Sequence, residues 1–428
     1  MPKIHKNITL LIITIISLFS IDRYSSVAIN NTVIWWVLLI GVLVYFFKAK
    51  KYFFNPKNTN STNVIHYYLL WNIICIVRGF FVADGYWEWK FLIQTSLVLL
   101  IPISIYLASN TFWLQTVVRQ WFFYVFPGFI FFYFFIISEA IGHYLIPVSF
   151  VLLFFPFLNK KWRIICIGVA FIVFLSNLSA RSNVIKFLIP MLLSLAYYFK
   201  FLLNSTVLKI TRLIFLILPA ILLYLGLTNT FNVFKISDYL EGEYRVKDDE
   251  DGPKGSGDLT SDSRTFLYVE VISSALKYDY VWLGRTPARG NESPSFGPGI
   301  DEDLGTNKME RHSNEVSILN VFTWTGIVGV ILYFLIFLKA TYLALYKSKS
   351  RMMKIVGIYV AFRWVYAWVE DFSTFNLSFF FLWVVIAMCL SEDFRAMTDN
   401  EFKNWVRGIF DQRYRAAIIK KQLVITKK

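Results

Sequence analysis

The sequence predicts an all-α polytopic membrane protein with about twelve transmembrane helices and one long loop on its outer face. The chain of 428 residues is 57% hydrophobic and 19% aromatic but only 17% charged, whereas soluble domains are roughly 45–50% apolar and about 25% charged. Many of its apolar runs are long enough to cross the hydrocarbon core of a bilayer, which takes about 20 residues. Because the backbone must satisfy its own hydrogen bonds in lipid, these runs are expected to be helices.

Twelve predicted spans divide the chain into four regions. Nine helices fall within residues 1–230, a long loop within 231–315, three further helices within 316–391, and a basic cytoplasmic tail within 392–428. The predicted spans are residues 6–21, 32–47, 63–83, 91–108, 121–138, 144–158, 164–178, 184–199, 213–230, 316–338, 355–369 and 377–391.

The distribution of lysine and arginine predicts that both termini are cytoplasmic. With the N-terminus inside, the short cytoplasmic segments hold 27 of these residues, whereas the short outer loops hold only Arg23, Lys90 and Arg181. This asymmetry follows the positive-inside rule. The first apolar run follows Lys3 and Lys6 but no small-residue cleavage site comes after it, so it is predicted to be an uncleaved first helix.

The long loop has a different composition from the rest of the chain. Residues 231–315 hold 17 acidic and 10 basic residues, a net charge of −7, and long translocated loops are exempt from the positive-inside rule. A polar, glycine-rich stretch is predicted to be solvated, and an amphipathic helix is predicted to follow it. The apolar positions of that helix are Phe266, Val269, Ile272 (or Val271), Ala275 and Leu276.

Composition and motifs exclude several classes of function. The formal charge of +15 is spread over short patches between apolar runs, so it indicates topology and no nucleic acid is expected as a partner. The three cysteines lie far apart inside apolar spans and the four histidines are isolated, so no metal site is predicted. The chain also lacks the motifs of serine hydrolases, P-loop proteins and zinc proteases. Any chemistry is therefore expected to need no metal or cofactor and to lie on the outer face.

Arginines gather on the predicted outer face, and we interpret them as ligands of a phosphate group. A guanidinium stays charged and offers two parallel donors to phosphate oxygens. A structural role remains open for several of them, as a snorkelling anchor, a helix cap, an ion pair or an exposed loop charge. The candidate pyrophosphate-binding residues are Arg78, Arg181, Arg264, Arg285, Arg289 and Arg311.

Two residues at the start of the tenth span are candidates for proton transfer. His312 stands next to an arginine and near a carboxylate, and a histidine can take a proton from a hydroxyl near neutral pH. Glu315 could act as the base, orient His312, or be a first-turn acid favoured by the helix dipole. With Arg264, these two residues are the candidate catalytic set, and Glu370 and Asp371 lie at the outer end of the eleventh span.

Several short motifs resemble the O-antigen ligase and O-antigen polymerase superfamily. They are SARSN before the eighth span, DSRTFLY and WLGR in the long loop, and RHSNE running into the tenth span. The matching residues are Arg181, Arg264, Gly284, His312 with Asn314, and Gly326 with Gly329. The family's element is closer to His-Asn, whereas this chain has His-Ser-Asn-Glu, so the base could be His312 or Glu315.

The resemblance implies a helical fold like that of C-type glycosyltransferases and a site in the bacterial inner membrane. It implies a donor glycan on undecaprenyl pyrophosphate, inverting attack by an acceptor hydroxyl, and neither metal nor nucleotide. The expected partners are this lipid-linked oligosaccharide, an acceptor glycan or lipid, membrane lipids and, as an additional candidate, a chain-length regulator. A repeat-unit polymerase for O-antigen, capsule or exopolysaccharide is favoured. The alternatives are a ligase that transfers the glycan to lipid A core or protein, and a polysaccharide flippase or other transporter.

Overall fold

The computed structural model describes residues 3–29, 31–176, 181–228, 230–235, 245–247, 256–258 and 264–415. It is mostly helical (76%), as the sequence predicts for a membrane protein. Among the described residues, four helical segments are long and apolar enough to cross a bilayer, and two shorter helices are also strongly apolar. The four are Thr32–Phe53, Tyr86–Ala108, Ser205–Leu227 and Ser317–Tyr346, and the shorter two are Ser182–Tyr198 and Leu377–Leu390. The count of twelve spans stays a prediction.

Most of the predicted apolar runs contain helices, but the runs 121–138 and 144–158 are each divided into short pieces. Before the long loop the α-helices are α1 (Lys3–Phe19), α2 (Thr32–Phe53), α3 (Thr59–Phe80), α4 (Tyr86–Leu100), α5 (Ile105–Ala108), α6 (Thr111–Gln120), α7 (Phe129–Phe132), α8 (Ser138–Tyr144), α9 (Ile146–Leu152), α10 (Lys160–Ser176), α11 (Arg181–Leu195) and α12 (Ser205–Leu227). After residue 264 they are α13 (Thr265–Lys277), α14 (Gly297–Leu304), α15 (Ser317–Tyr346), α16 (Arg351–Tyr366), α17 (Leu377–Leu390), α18 (Glu392–Ala396) and α19 (Asp399–Phe410).

Two short antiparallel pairs of strands lie in the long loop. Strand β1 (Arg245–Lys247) pairs with β2 (Ser256–Asp258), and the rest of the solvated stretch, to residue 263, lies largely outside the described residues. Strand β3 (Asn291–Glu292) pairs with β4 (Glu310–Arg311). The second pair closes the segment that carries α14, and it holds the residues before His312 against the residues after α13.

The predicted span 121–138 is not a single helix. A π-helical turn at Trp121–Val125 continues α6, and a 3₁₀ turn at Phe126–Gly128 leads into α7. Pro127 lacks an amide proton and so interrupts the helical hydrogen-bond ladder. The chain then leaves the helix, and the amide of Ser26 donates to the carbonyl of Phe135.

Helices α6 and α19 close the end of the bundle that the sequence predicts to be cytoplasmic. Gln120 at the end of α6 donates to the carbonyl of Lys6, while Asn110 before α6 donates to the carbonyl of Phe53. The indole of Trp405 in α19 is fully buried and donates to the carbonyl of Thr111. The apolar face of α19 packs on the rest of the protein. Its last residues, 416–428, lie outside the described residues.

The amphipathic loop helix is confirmed as α13, but its buried face differs from the prediction. Leu267, Val271 and Ala275 are buried, whereas Val269 and Leu276 are 56% and 69% exposed. The buried positions repeat every four residues, which places them on one helical stripe. The hydroxyl of Tyr268 donates to the carbonyl of Trp368 over 2.5 Å, which ties α13 to the segment after α16.

Helix α15 is broken at Gly326, and the loop enters the break. Gly326 has a φ of 68° and a ψ of −173° inside the helix. The carbonyl of Val281 accepts from the amide of Ile327, and the amide of Arg285 donates to the carbonyl of Thr323 over 2.7 Å. The backbone groups released by the break are therefore bonded to the loop, which fixes the segment 281–285 against the membrane helix.

Candidate functional site

The carboxylate of Glu315 contacts two arginines just before the start of α15. Its Oε2 accepts from Nη1 of Arg264, and its Oε1 lies 3.1 Å from Nη2 of Arg311. The Nε of Arg264 also donates to the carbonyl of Val369, so α13, the segment 311–315 and the end of α16 meet at one point. Both carboxylate oxygens of Glu315 are engaged, so this residue is better placed to orient guanidinium groups than to take a proton.

The guanidinium of Arg311 is stacked and only partly bonded. Its carbon lies 4.3 Å from the centre of the Phe296 ring. Its Nη1 is buried and has no hydrogen-bond partner among the described residues. A buried donor without a partner is costly, so Arg311 retains capacity to bind an anionic group.

His312 is held in one orientation by its backbone carbonyl partner and by a ring. Its Nε2 lies 3.2 Å from the carbonyl oxygen of Ala288, and its ring stacks on Phe91 with 3.5 Å between the ring centres. Since a carbonyl can only accept, Nε2 carries the proton and Nδ1 is the unprotonated nitrogen. Burial lowers the pKa of His312 to about 4, so the imidazole is neutral at pH 7 and can accept a proton.

A network of asparagines fixes the turn that carries His312 and Glu315. The amide of Asn314 donates to Oδ1 of Asn320 over 2.6 Å, and Nδ2 of Asn320 donates back to the carbonyl of Asn314 over 2.9 Å. Nδ2 of Asn314 also donates to Oδ1 of Asn291 in β3. The indole of Trp324 donates to the carbonyl of His312. The motif residue Asn314 is therefore a scaffold for its two neighbours.

Arg285 and Arg289 form a buried ion-pair cluster with acids from two other segments. Nη2 of Arg285 lies 2.9 Å from Oε1 of Glu310, and Nε of Arg289 donates to Oε2 of the same carboxylate over 2.9 Å. Arg289 also lies 3.7 Å from Glu88 of α4, which pairs with Lys308. Burial alone would raise the pKa of Glu310, but the hydrogen bonds of Arg289 and the charge of Arg285 hold that pKa below its usual range. These arginines join the loop to α4.

The remaining two predicted arginines are Arg78 and Arg181. Arg78 at the end of α3 donates from Nη1 to the carbonyl of Leu283 over 2.6 Å and from Nη2 to the carbonyl of Gly284 over 3.2 Å. It thus anchors the WLGR turn to α3. Arg181 begins α11, but its side chain, like residues 177–180 of its motif, lies outside the described residues.

A cavity of about 620 Å³ opens beside His312. It lies between the ends of α1 and α2, helix α4, and the segments 312–313 and 373–376. Indole and phenol rings line it together with two cations, and such rings offer flat faces with a polar edge. The residues with these properties are Arg23, Tyr24, Trp35, Trp36, Trp87, Lys90 and Trp324.

An apolar groove of about 100 Å³ lies beside Thr265, which follows Arg264 at the start of α13. Its walls come from α12, α13 and α16, and they include Leu223, Val269 and Trp368. The neighbours of Arg264 reach into it, since Thr265 and Val369 also line it. His312 therefore lines a polar, aromatic cavity, whereas residues that adjoin Arg264 line an apolar groove.

A buried lysine lies close to the two acids that follow α16. Nζ of Lys186 in α11 lies 3.8 Å from Oε1 of Glu370 and 3.3 Å from Oγ of Ser182. Burial raises the pKa of Glu370, and the charge of Lys186 opposes that rise. Oγ of Ser317 lies 3.2 Å from Oδ1 of Asp371, so these two acids support the start of α15.

Sequence reasoning missed the partners that His312 gains from distant helices. Phe91 lies in α4, more than 200 residues before His312, and no local pattern connects the two residues. The one available signal was the concentration of tryptophan at the outer ends of the spans. That signal also marks ordinary membrane interfaces.

Comparisons with known protein families, with curated proteins and with solved structures find no match for this chain.

Proposed function

We propose that this chain is a membrane glycosyltransferase that polymerises the repeat units of a surface polysaccharide. The donor is a glycan on a polyprenyl pyrophosphate such as undecaprenyl pyrophosphate, and the acceptor is a sugar hydroxyl of another lipid-linked repeat. The reaction inverts the anomeric centre and needs no metal, as the resemblance implies. The proposed location is the bacterial inner membrane with both termini cytoplasmic and the site facing outward.

One observation carries the proposal. His312 lines a polar, aromatic cavity, Glu315 three residues later pairs with Arg264, and Thr265 next to Arg264 lines an apolar groove. A lipid-linked glycan has the same order of parts, with a hydrocarbon chain, a charged pyrophosphate and a polar sugar. The apolar walls suit the chain, the guanidinium groups suit the pyrophosphate, and the rings suit the faces of sugars.

Arg264 and Arg311 would stabilise the leaving group. As the bond between the anomeric carbon and the phosphate oxygen breaks, its electron pair goes to the pyrophosphate. Negative charge therefore develops on that oxygen, and prepositioned cations stabilise it more in the transition state than in the ground state. Glu315 holds both guanidinium groups in position.

His312 would act as the general base. The acceptor oxygen forms its bond to the anomeric carbon, and its proton goes to Nδ1, the nitrogen that does not face Ala288. The stacked Phe91 and the carbonyl of Ala288 keep this tautomer and orientation. Arg311 and His312, which are adjacent in the chain, would thus assist the cleavage of the donor bond and the formation of the acceptor bond.

Incubation of the purified full-length protein with lipid-linked repeats alone tests the proposal. A ladder of polymer lengths supports a polymerase. Product that forms only after lipid A core or an acceptor protein is added supports a ligase. Movement of lipid-linked repeats across vesicles that persists in Arg264→Gln and His312→Gln variants, without any polymer, would establish a transporter instead.

A control variant distinguishes the effect of removing a site arginine from the effect of removing a positive charge on the surface. Lys277 is the last residue of α13, the helix that Arg264 precedes, but it is exposed and pairs with Glu292. We expect Lys277→Gln to form polymer at the rate of the unaltered protein and Arg264→Gln to form at least about 100-fold less. Equal activity of all three proteins would reject the assigned site.

A further inference from the structure

A basic pocket lies at the end of the helix bundle opposite to His312. It has a volume of about 390 Å³ and lies between α3, α12 and α15. Its lining residues are Val64, Arg212, Leu335, Leu338, Lys339 and Tyr342. Arg212 lies seven residues from the start of α12 and Lys339 seven residues from the end of α15. At about 1.5 Å per residue, both cations sit roughly 10 Å inside the helix ends.

The two cations of this pocket are bonded only to neutral groups. Nε of Arg212 donates to Oγ1 of Thr341 over 2.9 Å, and its Nη2 donates to the carbonyl of Leu338 over 3.0 Å. Nζ of Lys339 donates to the carbonyl of Asn60 over 2.6 Å and to Oδ1 of Asn63. Among the residues that the structure describes, no carboxylate lines the pocket or pairs with either cation. Within the described part of the chain, these two positive charges therefore have no anionic partner.

The walls around these cations are suited to a lipid. Leu335 is 37% exposed and Tyr342 is 44% exposed, so the pocket opens at the surface of the helices. The ring of Tyr342 stacks on Tyr346, and the guanidinium of Arg212 lies about 6 Å from both ring centres. Tyrosine is enriched where a membrane helix passes from hydrocarbon to headgroups, so the cations lie near headgroup depth.

We propose that this pocket binds an anionic phospholipid. Its phosphate diester would lie between Arg212 and Lys339, and an acyl chain would follow the walls formed by Val64 and Leu335. Basic pockets between membrane helices on the cytoplasmic side bind such headgroups because that leaflet carries a negative surface potential. The excess of lysine and arginine predicts that this end of the bundle is cytoplasmic, so the pocket faces the matching leaflet. This inference is independent of the proposed catalytic activity.

Lipid binding to the purified full-length protein tests the proposal. The protein in neutral detergent would be titrated with phosphatidylglycerol, with phosphatidylcholine and with inorganic phosphate, and both its melting temperature and its bound lipid would be measured, the latter by native mass spectrometry. We expect phosphatidylglycerol to bind and raise the melting temperature, and the other two to have little effect. The Arg212→Gln/Lys339→Gln variant should bind phosphatidylglycerol on the order of tenfold more weakly, because each cation near the surface contributes to anionic lipid binding.

A control pair removes the same charge from the same end of the bundle without touching the pocket. Lys160 and Lys161 begin α10 and are exposed, so Lys160→Gln/Lys161→Gln should keep the full response. The variant Lys339→Arg keeps the charge and should also keep it, which separates loss of binding from misfolding. Equal stabilisation by phosphatidylcholine, saturation by inorganic phosphate, or equal weakening in the control pair would each overturn the proposal.

Discussion

The backbones of Gly284 in the loop and Gly326 in α15 are in direct contact. A Cβ added to Gly284 would lie 2.5 Å from the amide nitrogen of Gly326, and one added to Gly326 would lie 2.5 Å from that of Gly284. Both have positive φ, at 72° and 68°. Only glycine meets both demands at little cost. This contact positions the loop that carries Arg285 and Ala288 over the membrane helices.

Replacement of either glycine by alanine should destabilise the protein. In Gly326→Ala and Gly284→Ala the methyl group meets backbone atoms, and the residue must also hold a left-handed conformation that costs about 1–3 kcal/mol. The melting temperature of the purified protein in detergent is the measurement. We expect it to fall clearly in both variants, with polymer formation lost at temperatures where the unaltered protein is active.

Gly299 provides the comparison for this prediction. It lies in α14, its φ is not positive, and an added Cβ would have no heavy atom within 4 Å. Gly299→Ala should therefore leave the melting temperature unchanged or slightly raised, since alanine favours helix. A fall as large as that of Gly326→Ala would show that the close backbone contact is not what limits stability.

Removal of the Glu310 carboxylate should be more damaging than removal of an exposed one. Glu310→Gln leaves the partly buried guanidinium groups of Arg285 and Arg289 without their shared anion. Breaking a fully buried pair costs about 3–5 kcal/mol, so we expect a clear loss of stability below that range. Glu302 is exposed on α14, so Glu302→Gln is the control and should change the melting temperature little. Equal melting temperatures of the two variants would mean that the cluster contributes little to the fold.

The same cluster predicts how stability responds to acid. The pKa of Glu310 in the folded protein is below its usual value, so the unfolded chain takes up a proton first as the pH falls. The contribution of Glu310 is complete above the ordinary glutamate pKa of about 4.3 and is lost as the pH falls through the lower folded value. Melting temperatures measured between pH 7 and pH 3 should fall less in Glu310→Gln than in the unaltered protein.

The helices and one part of the site could be predicted from the sequence because their signals are local. Apolar runs and periodicity gave the positions of α2, α12 and α15, and His312 and Glu315 are three residues apart in one motif. The break at Pro127 shows the limit, since hydropathy averages over a window and does not register a single missing amide. The buried face of α13 was partly mispredicted because Val269 faces an apolar groove, which has the same hydrophobic pattern as a core.

The distant contacts of the site could not be predicted, since they depend on how the helices pack. Arg264 meets Glu315 across 51 residues, and Phe91 of α4 meets His312 across 221. The predicted arginines also take different roles, because helix packing gives each of them different partners. Arg285 and Arg289 pair with Glu310, and Arg78 donates to backbone carbonyls. One buried nitrogen of Arg311 has no partner among the described residues.

The pH dependence of the transfer reaction should reflect the burial of His312. Its pKa is lowered to about 4, and the neutral form is the one that accepts a proton. The rate at limiting substrate should therefore stay level from pH 8 to about 5.5 and fall only as the pH approaches 4, instead of falling near the ordinary histidine value of about 6.5. A half-maximal rate near 6.5 would contradict the buried, neutral imidazole.

Substitution of Glu315, His312 and Arg264 in parallel should distinguish the base from the residue that orients the arginines. Glu315 is half exposed and its pairs are accessible to water, so Glu315→Gln should cost only about 0.2–1 kcal/mol of stability and lower the transfer rate less than tenfold. His312→Gln and Arg264→Gln should each lower the rate by about 100-fold or more, because they remove the proton acceptor and the leaving-group cation. Initial rates with lipid-linked repeats, measured on folded variants matched by melting temperature, are the test. If Glu315→Gln abolishes transfer while His312→Gln retains it, the carboxylate is the base and the imidazole only supports the loop.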